Sequence, residues 1–248
     1  MQDIQTLVDS FDVITLEQMD NVKLMSRTDT KYAFERKRLS EILSKMIDHY
    51  RILEVDNVKA QQYNSLYFDT KDRLFYINHH NQRVNRNKVR FRQYKNSGLT
   101  FLEVKTKNNK GRTVKKRIKV DKIPSTLSDA HNDFIKTVTG KKLDVYAKQW
   151  IQFTRLTFAH KSRKERLTID LDLTFSNERK EGNLKEIVIA EVKEERMSRL
   201  SDFVKITKEM SILPMRLSKY CVSTTQLEPN IKKNRFKKKL LFIDKLKK

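Results

Sequence analysis

The chain has 248 residues and a formal charge of +23, an excess that attracts polyanions such as nucleic acid, polyphosphate or an anionic membrane surface. Charged residues make up 34% and apolar ones 38%, which is hydrophilic yet too rich in aromatics and aliphatics for a disordered chain, and the length suits one large domain. The single Cys221 excludes an internal disulfide and a cysteine-rich metal site; acids stand where a signal peptide carries bases, and no 18 apolar residues run together, so a cytoplasmic protein is expected.

In chain order, the spacing predicts an opening helix from Ile4 to Gln18 and a first strand at Lys31 to Phe34. Leu39, Ile42, Leu43, Met46, Ile47 and Tyr50 fall at three-and-four spacing, the mark of an amphipathic helix. A strand at Tyr63 to Phe68 and a short helix at Lys71 to Asn78 follow. Strands at 88–95 and 99–106 are then joined by Asn96-Ser97-Gly98. Residues 112–120 read as a strand with Val114, Ile118 and Val120 on one face and Lys115 and Arg117 on the other. Residues 125–151 read as helical, and 153–160, 165–175 and 186–194 as strands. A helix from Ser198 to Leu213 ends before Pro214, which cannot continue it. The short connections make about eight strands mostly antiparallel.

Side chains on a strand switch faces at every residue. In Val89-Arg90-Phe91-Arg92 the arginines therefore share one face, and Phe101-Leu102-Glu103-Val104-Lys105 places a carboxylate and an ammonium together. Leu167 to Leu173 repeats the pattern with Asp170 and Asp172, and Ile189-Ala190-Glu191-Val192-Lys193 with a mixed pair. With the apolar faces under helices, the charged faces point at one another inside a closed sheet, an interior that requires a multiply charged ligand. Trp150 and the aromatics at 67, 68 and 91 are expected in the core, opposite the basic faces. His79 and His80, adjacent and without a third ligand, read as surface residues.

Several of these segments together resemble a known family. Arg27-Thr28-Asp29-Thr30-Lys31-Tyr32, Ser65-Leu66-Tyr67-Phe68-Asp69-Thr70, Val89 to Arg92, Phe101 to Lys105, Thr154-Arg155, Arg166 to Asp172, Glu191-Val192-Lys193 and Ser218-Lys219-Tyr220 are similar, in order, to the VTC domain. That is the catalytic domain of the vacuolar transporter chaperone, a polyphosphate polymerase of the triphosphate tunnel metalloenzyme superfamily. The resemblance implies an α+β fold, an antiparallel β-barrel with helices packed outside, over residues 1–229. It implies transfer of the terminal phosphate of ATP to a growing polyphosphate chain, with ATP and inorganic polyphosphate as partners and Mn²⁺ or Mg²⁺ as cofactor.

Lys31, Arg90, Arg92, Lys105, Arg155, Arg166 and Lys219 fall on the family's basic tunnel positions. Arg27 matches as well, with Lys115, Arg117 and Lys193 as further phosphate contacts. Glu191 falls on the metal-binding glutamate, and Glu103, Asp170 and Asp172 are further candidates, because hard divalent ions beside phosphate take carboxylate oxygens and water. Hydrolytic and cyclase branches of the superfamily open with Glu-x-Glu-x-Lys. Here Arg27-x-Asp29-x-Lys31 exchanges one acid for a base, which favours polyanion retention and the polymerase, while Asp29 keeps one acid of a triphosphatase. A nucleic-acid-binding protein is the reading from another class, set against the alternation of bases with carboxylates.

Residues 230–248 form a separate tail with nine Lys or Arg against one Asp. Phe236, Leu240, Ile243 and Leu246 line one helical face, so the tail suits a peripheral membrane contact at the inner face, with a solvated, partly disordered tail or a helix plugging or flanking the tunnel mouth as the alternatives.

Overall fold

The structure, a computed structural model, describes residues 3–20, 28–109, 113–195 and 200–247. Eleven strands form one sheet. They are β1 (Val13–Ile14), β2 (Thr28–Glu35), β3 (Tyr50–Leu53), β4 (Gln61–Asp69), β5 (Arg86–Tyr94), β6 (Thr100–Lys107), β7 (Thr113–Val120), β8 (Tyr146–His160), β9 (Glu165–Ser176), β10 (Glu181–Leu184) and β11 (Ile187–Glu194). The helices are α1 (Ile4–Asp9), α2 (Leu16–Asp20), α3 (Leu39–Met46), α4 (Leu74–His80), α5 (Asp129–Thr139), α6 (Asp202–Glu209), α7 (Lys219–Leu227) and α8 (Lys237–Leu246).

The strand order is β2-β11-β9-β8-β4-β5-β6-β7, antiparallel at each step. Among the described residues no ladder joins β2 to β7, so the sheet curls without closing the expected barrel. Beside this path, β3 pairs with the end of β8, and the short β1 runs parallel to β3.

Alternation decides which side of the sheet each residue serves. The outward side chains Tyr32, Phe34, Leu167, Ile169, Val188, Ala190 and Val192 pack under α1, α3 and α6. Farther along, Leu66, Phe68, Val89, Phe91, Leu102 and Val104 meet Ile135 of α5. The inward face is charged over only part of its length. Ala33, Ile151, Phe153, Leu173, Phe175, Ile187 and Ile189 also lie inward, where they join Tyr220, Cys221, Val222 and Leu227 of α7 in a third core. A helix thus fills one part of the concave face, leaving the charged side chains gathered beside its N-terminus.

Several elements differ from the sequence reading. The opening helix is split: Thr15 and Gln18 cap α2 reciprocally, and the intervening Val13 and Ile14 pair with β3. Tyr50 begins β3 instead of closing α3. The helix expected over 125–151 is α5 alone, because Gly140 turns left-handed at its C-terminus (φ 73°) and residues from Tyr146 onward are taken up by pairing with β4. Helix α4 starts at Leu74 because the Asp69 carboxylate accepts the N–H groups of Phe75 and Tyr76 at 2.8 and 3.0 Å. Strand β10 has no counterpart in the sequence reading, and α6 begins at its Ser201 cap and ends at Glu209, well before Pro214.

His80 is fully buried, and His79 is partly buried with its Nδ1 sealed from solvent, so neither is the expected surface residue. The tail turns its apolar face inward: Phe236 and Ile243 are buried in the α7 core, with Leu240 and Leu246 packed against it. No helix among the described residues is long and apolar enough to cross a membrane.

Candidate active site

Cross-strand register assembles the site. Lys31 of β2 stands opposite Glu191 of β11, and their side chains pair at 3.1 Å. Lys193 reaches the other oxygen of the same glutamate at 3.3 Å, and the Asp29 side chain lies within hydrogen-bonding reach of it. Burial alone would raise the Glu191 pKa. Lys193, Lys31 and Arg155 outweigh it and hold the carboxyl well below its usual range.

Arg155 of β8 and Asp170 of β9 also oppose one another, and the guanidinium grips the carboxylate in a two-point contact at 2.5 and 2.8 Å. Lys219, in the first turn of α7, pairs with Oδ2 of the same carboxylate. The aspartate is buried, yet these two cations keep it ionised well below the usual range. Helix α7 is fixed in turn by Tyr220, whose hydroxyl donates to Asp69 at 2.5 Å and whose ring stacks on Tyr67 at 5.1 Å.

The third carboxylate is Glu103, fully withdrawn from water. Arg90 donates to it at 2.8 and 2.6 Å, Lys115 at 2.6 Å, and Arg90 also reaches the Tyr67 hydroxyl at 2.7 Å. Burial opposes its ionisation, but Arg90, Arg92 and Lys115 hold it charged. Every carboxylate of the cluster is therefore matched to cations, and several cations are left over. Among the described residues the one hydrogen bond of Arg92 goes to the Ser65 hydroxyl, at 3.3 Å, and its pKa is brought down to about 10 by burial and by Arg90. Lys105 has neither a hydrogen bond nor an ion pair with the described residues. Burial, then Arg90 and Arg92, push its amine well below the ordinary range. An anion placed among Arg90, Arg92 and Lys105 would relieve that repulsion.

The structure thus brings Lys31, Arg90, Arg92, Lys105, Lys115, Arg155, Lys193, Lys219, Glu103, Asp170 and Glu191 to one concave surface. Arg117 lies over the Phe101 ring at 4.4 Å, and Arg166 is anchored to the Met19 carbonyl. Asp172 is set apart. A bulge in β9 between the partners of Gln152 and Thr154 breaks the alternation, and Asp172 takes φ 52° and pairs with Arg36 at 2.6 Å near solvent. Arg27 lies outside the described residues.

Sequence reasoning missed Lys88, on the same face of β5, and the aromatic floor. Tyr63 and Phe153 stack at 5.1 Å beneath Arg92 and Arg155, so inward aromatics share the basic face instead of all facing away. Tyr63 has the same parity as Ser65 and Tyr67, so the alternation on β4 carried that signal.

Among the described residues, no group of three or more His, Cys, Asp or Glu is gathered for a metal ion. Divalent ions beside phosphate need less: one or two carboxylates, with water and phosphate oxygens completing the shell. Glu191, partly exposed and with Asp29 alongside, fits that requirement; Glu103 and Asp170, enclosed by their cations, do not.

Comparison with known proteins agrees with this architecture. An adenylyl cyclase candidate from Hippeastrum, whose structure revealed a dominant triphosphatase activity, superposes with a TM-score of 0.52 at 15% identity, covering 82% of this chain and 97% of that one. An adenylate cyclase candidate from Vibrio parahaemolyticus gives 0.46 at 12% identity over 80% and 99% of the two chains. At 15% identity the likeness to the Hippeastrum protein is one of fold. No curated protein matches the sequence. The VTC domain model matches residues 26–228, a span that carries every ion pair of the concave surface, and the chain belongs to the VTC domain family.

Proposed function

We propose that this domain transfers the terminal phosphate of ATP to a growing inorganic polyphosphate chain. The observation that supports it most is the surplus of cations: Arg92 and Lys105 face the concave surface without carboxylate partners, beside an Arg90 already fixed by Glu103 and Tyr67. Phosphoryl transfer needs little covalent chemistry from the protein; positioning and neutralisation of the transferring group dominate. Arg90, Arg92 and Lys105 hold phosphate oxygens from one side of the surface, and Arg155 and Lys219, fixed by Asp170, hold them from the other. A Mg²⁺ or Mn²⁺ ion, held by Glu191 and Asp29 together with phosphate oxygens, would supply further neutralisation of the phosphate charge. Lys31 and Lys193 balance the charge of that pair of carboxylates, so the surface remains attractive to a polyanion.

A metal-dependent triphosphatase is the second reading, favoured by the Asp29 acid beside Glu191 and by the activity described for the Hippeastrum protein. Incubation with ATP and Mn²⁺ followed by product analysis separates the two. ADP with long-chain polyphosphate supports the polymerase, and ADP with orthophosphate alone replaces it with the hydrolase.

A further inference from the structure

The concave surface changes character along β5. Ion-paired carboxylates accompany the cations from Glu191 to Glu103, and among the described residues no ion pair is found farther along β5 toward Arg86. Lys88 stands opposite Lys105, and Arg86 opposite Lys107. Lys88 donates to the Ser218 hydroxyl at 3.1 Å, which brings this end of the sheet against the start of α7. From Arg92 to Arg86 the strand extends about 20 Å, far longer than three linked phosphate groups.

The C-terminal segment, past the end of the family match at residue 228, closes on the same region. The Tyr76 hydroxyl donates to the Lys232 carbonyl at 2.8 Å, and the Arg235 N–H donates to His80 Nε2 at 3.2 Å. The Phe236 ring sits edge-on to Tyr76 and His80, and Lys239 lies 5.5 Å over that ring. The His79 ring lies 6.2 Å from that of Phe236, which places Lys239 beside it, and its buried Nδ1 has no hydrogen-bond partner among the described residues. Arg216, in the loop before α7, stands two residues before Ser218, the residue whose hydroxyl accepts from Lys88. Among the described residues, no ion pair joins any of these five cations to a carboxylate. Arg and Lys from β5, β6, the loop before α7 and the terminal helix thus stand toward the same end of the concave surface without a carboxylate partner among the described residues, an arrangement that suits an anion.

We propose that Arg86, Lys88, Lys107, Arg216 and Lys239 form a second anion subsite, completed by α8, which holds the distal part of a polyphosphate chain whose terminal phosphates lie at Arg90, Arg92 and Lys105. It rests on the polyphosphate reading above for the ligand's identity, and adds that the C-terminal helix makes affinity depend on chain length. A ligand that reaches both subsites gains from the second as an intramolecular contact; tripolyphosphate, confined to the first, does not.

The test is calorimetric titration of tripolyphosphate and of long-chain polyphosphate into the wild type, an Arg216→Ala/Lys239→Ala double variant, and Lys238→Ala, an exposed lysine of the same helix. The wild type should bind the long chain more tightly. The double variant should lose about tenfold or more of the long-chain affinity and keep its tripolyphosphate affinity within about twofold, with an unshifted thermal midpoint; Lys238→Ala should match the wild type. Lys239→Arg in the Arg216 background should restore part of the loss. The proposal is overturned by equal loss for both ligands, by no loss for either, by an equal effect of Lys238→Ala, or by a wild type indifferent to length. Length-dependent binding in a protein that makes only orthophosphate from ATP would leave the subsite standing and remove the polymerase.

Discussion

Lys88 of β5 and Lys105 of β6 stand directly opposite each other, and Lys115 of β7 stands opposite Lys105 in turn. Like charges in this relationship are unfavourable in a sheet. Lys115 is relieved by Glu103, whereas Lys88 has only a serine hydroxyl and Lys105 has no partner among the described residues. The row is a repulsion retained in the folded protein, and an anion bound beside it would remove it.

A proton signature follows. Burial pulls the amines of both Lys105 and Lys88 down, with Arg90 and Arg92 adding to the effect at Lys105. The unfolded chain therefore binds more protons than the folded one, so stability of the ligand-free protein gains with pH from the depressed Lys105 value up toward 10.5. An anion raises these values again. Tripolyphosphate binding at pH 8, measured calorimetrically in two buffers of different ionisation enthalpy, should take up more protons in the wild type than in Lys105→Met. Equal uptake would mean that Lys105 does not meet the ligand.

Arg92→Ala should weaken tripolyphosphate binding and lower turnover together. In the folded protein Arg92 has the Ser65 hydroxyl and the rings of Tyr63 and Phe153 but no carboxylate, so the loss of affinity, read at matched folding, reports the ligand, at roughly 1.5–3 kcal/mol for a charged contact. Unchanged affinity in a folded variant would place Arg92 outside the binding surface.

For Glu191→Gln, turnover supported by Mn²⁺ should disappear, because a neutral amide is a poor ligand for a hard ion. Tripolyphosphate binding in EDTA should stay equal or become tighter, since Lys31 and Lys193 lose their shared anion. Wild-type turnover at low Mn²⁺ would make Glu191 a structural partner of the two lysines and nothing more.

Asp170 and Asp172, two residues apart, should behave oppositely in urea melts. Asp170→Asn leaves Arg155 and Lys219 without their buried counter-charge and should cost about 3–5 kcal/mol. Asp172→Asn breaks only the half-exposed pair with Arg36 and should stay within about 0.5 kcal/mol, asparagine tolerating the left-handed φ. Similar losses for both would contradict the bulge.

Truncation after residue 229 removes Phe236 and Ile243 from the core. Each buried side chain of this size contributes about 1.5–3 kcal/mol, so the truncated protein should melt markedly earlier. An unchanged midpoint would show that the tail does not pack there in solution.

The sequence by itself determined the charged strands. Arg90 with Arg92, Glu103 with Lys105 and Glu191 with Lys193 could be assigned to shared faces because alternation is a local property of any extended chain, and those faces did converge. The family resemblance placed the same residues along a matching order. What only the tertiary structure decided is every departure from local pattern. Residues 146–151 carry a helix-compatible sequence yet became strand, since pairing with β4 outweighs weak local propensity. A single extra residue in β9 separated Asp172 from Asp170, which no periodicity encodes. The tail's apolar face found a partner in α7, and His79 and His80 were enclosed with it, because an amphipathic face specifies that it must be covered and leaves the identity of the cover to long-range packing. The unpaired state of Lys105 belongs to the same class: a sequence can place a lysine on a face, but whether a carboxylate reaches it is settled by the register of three strands.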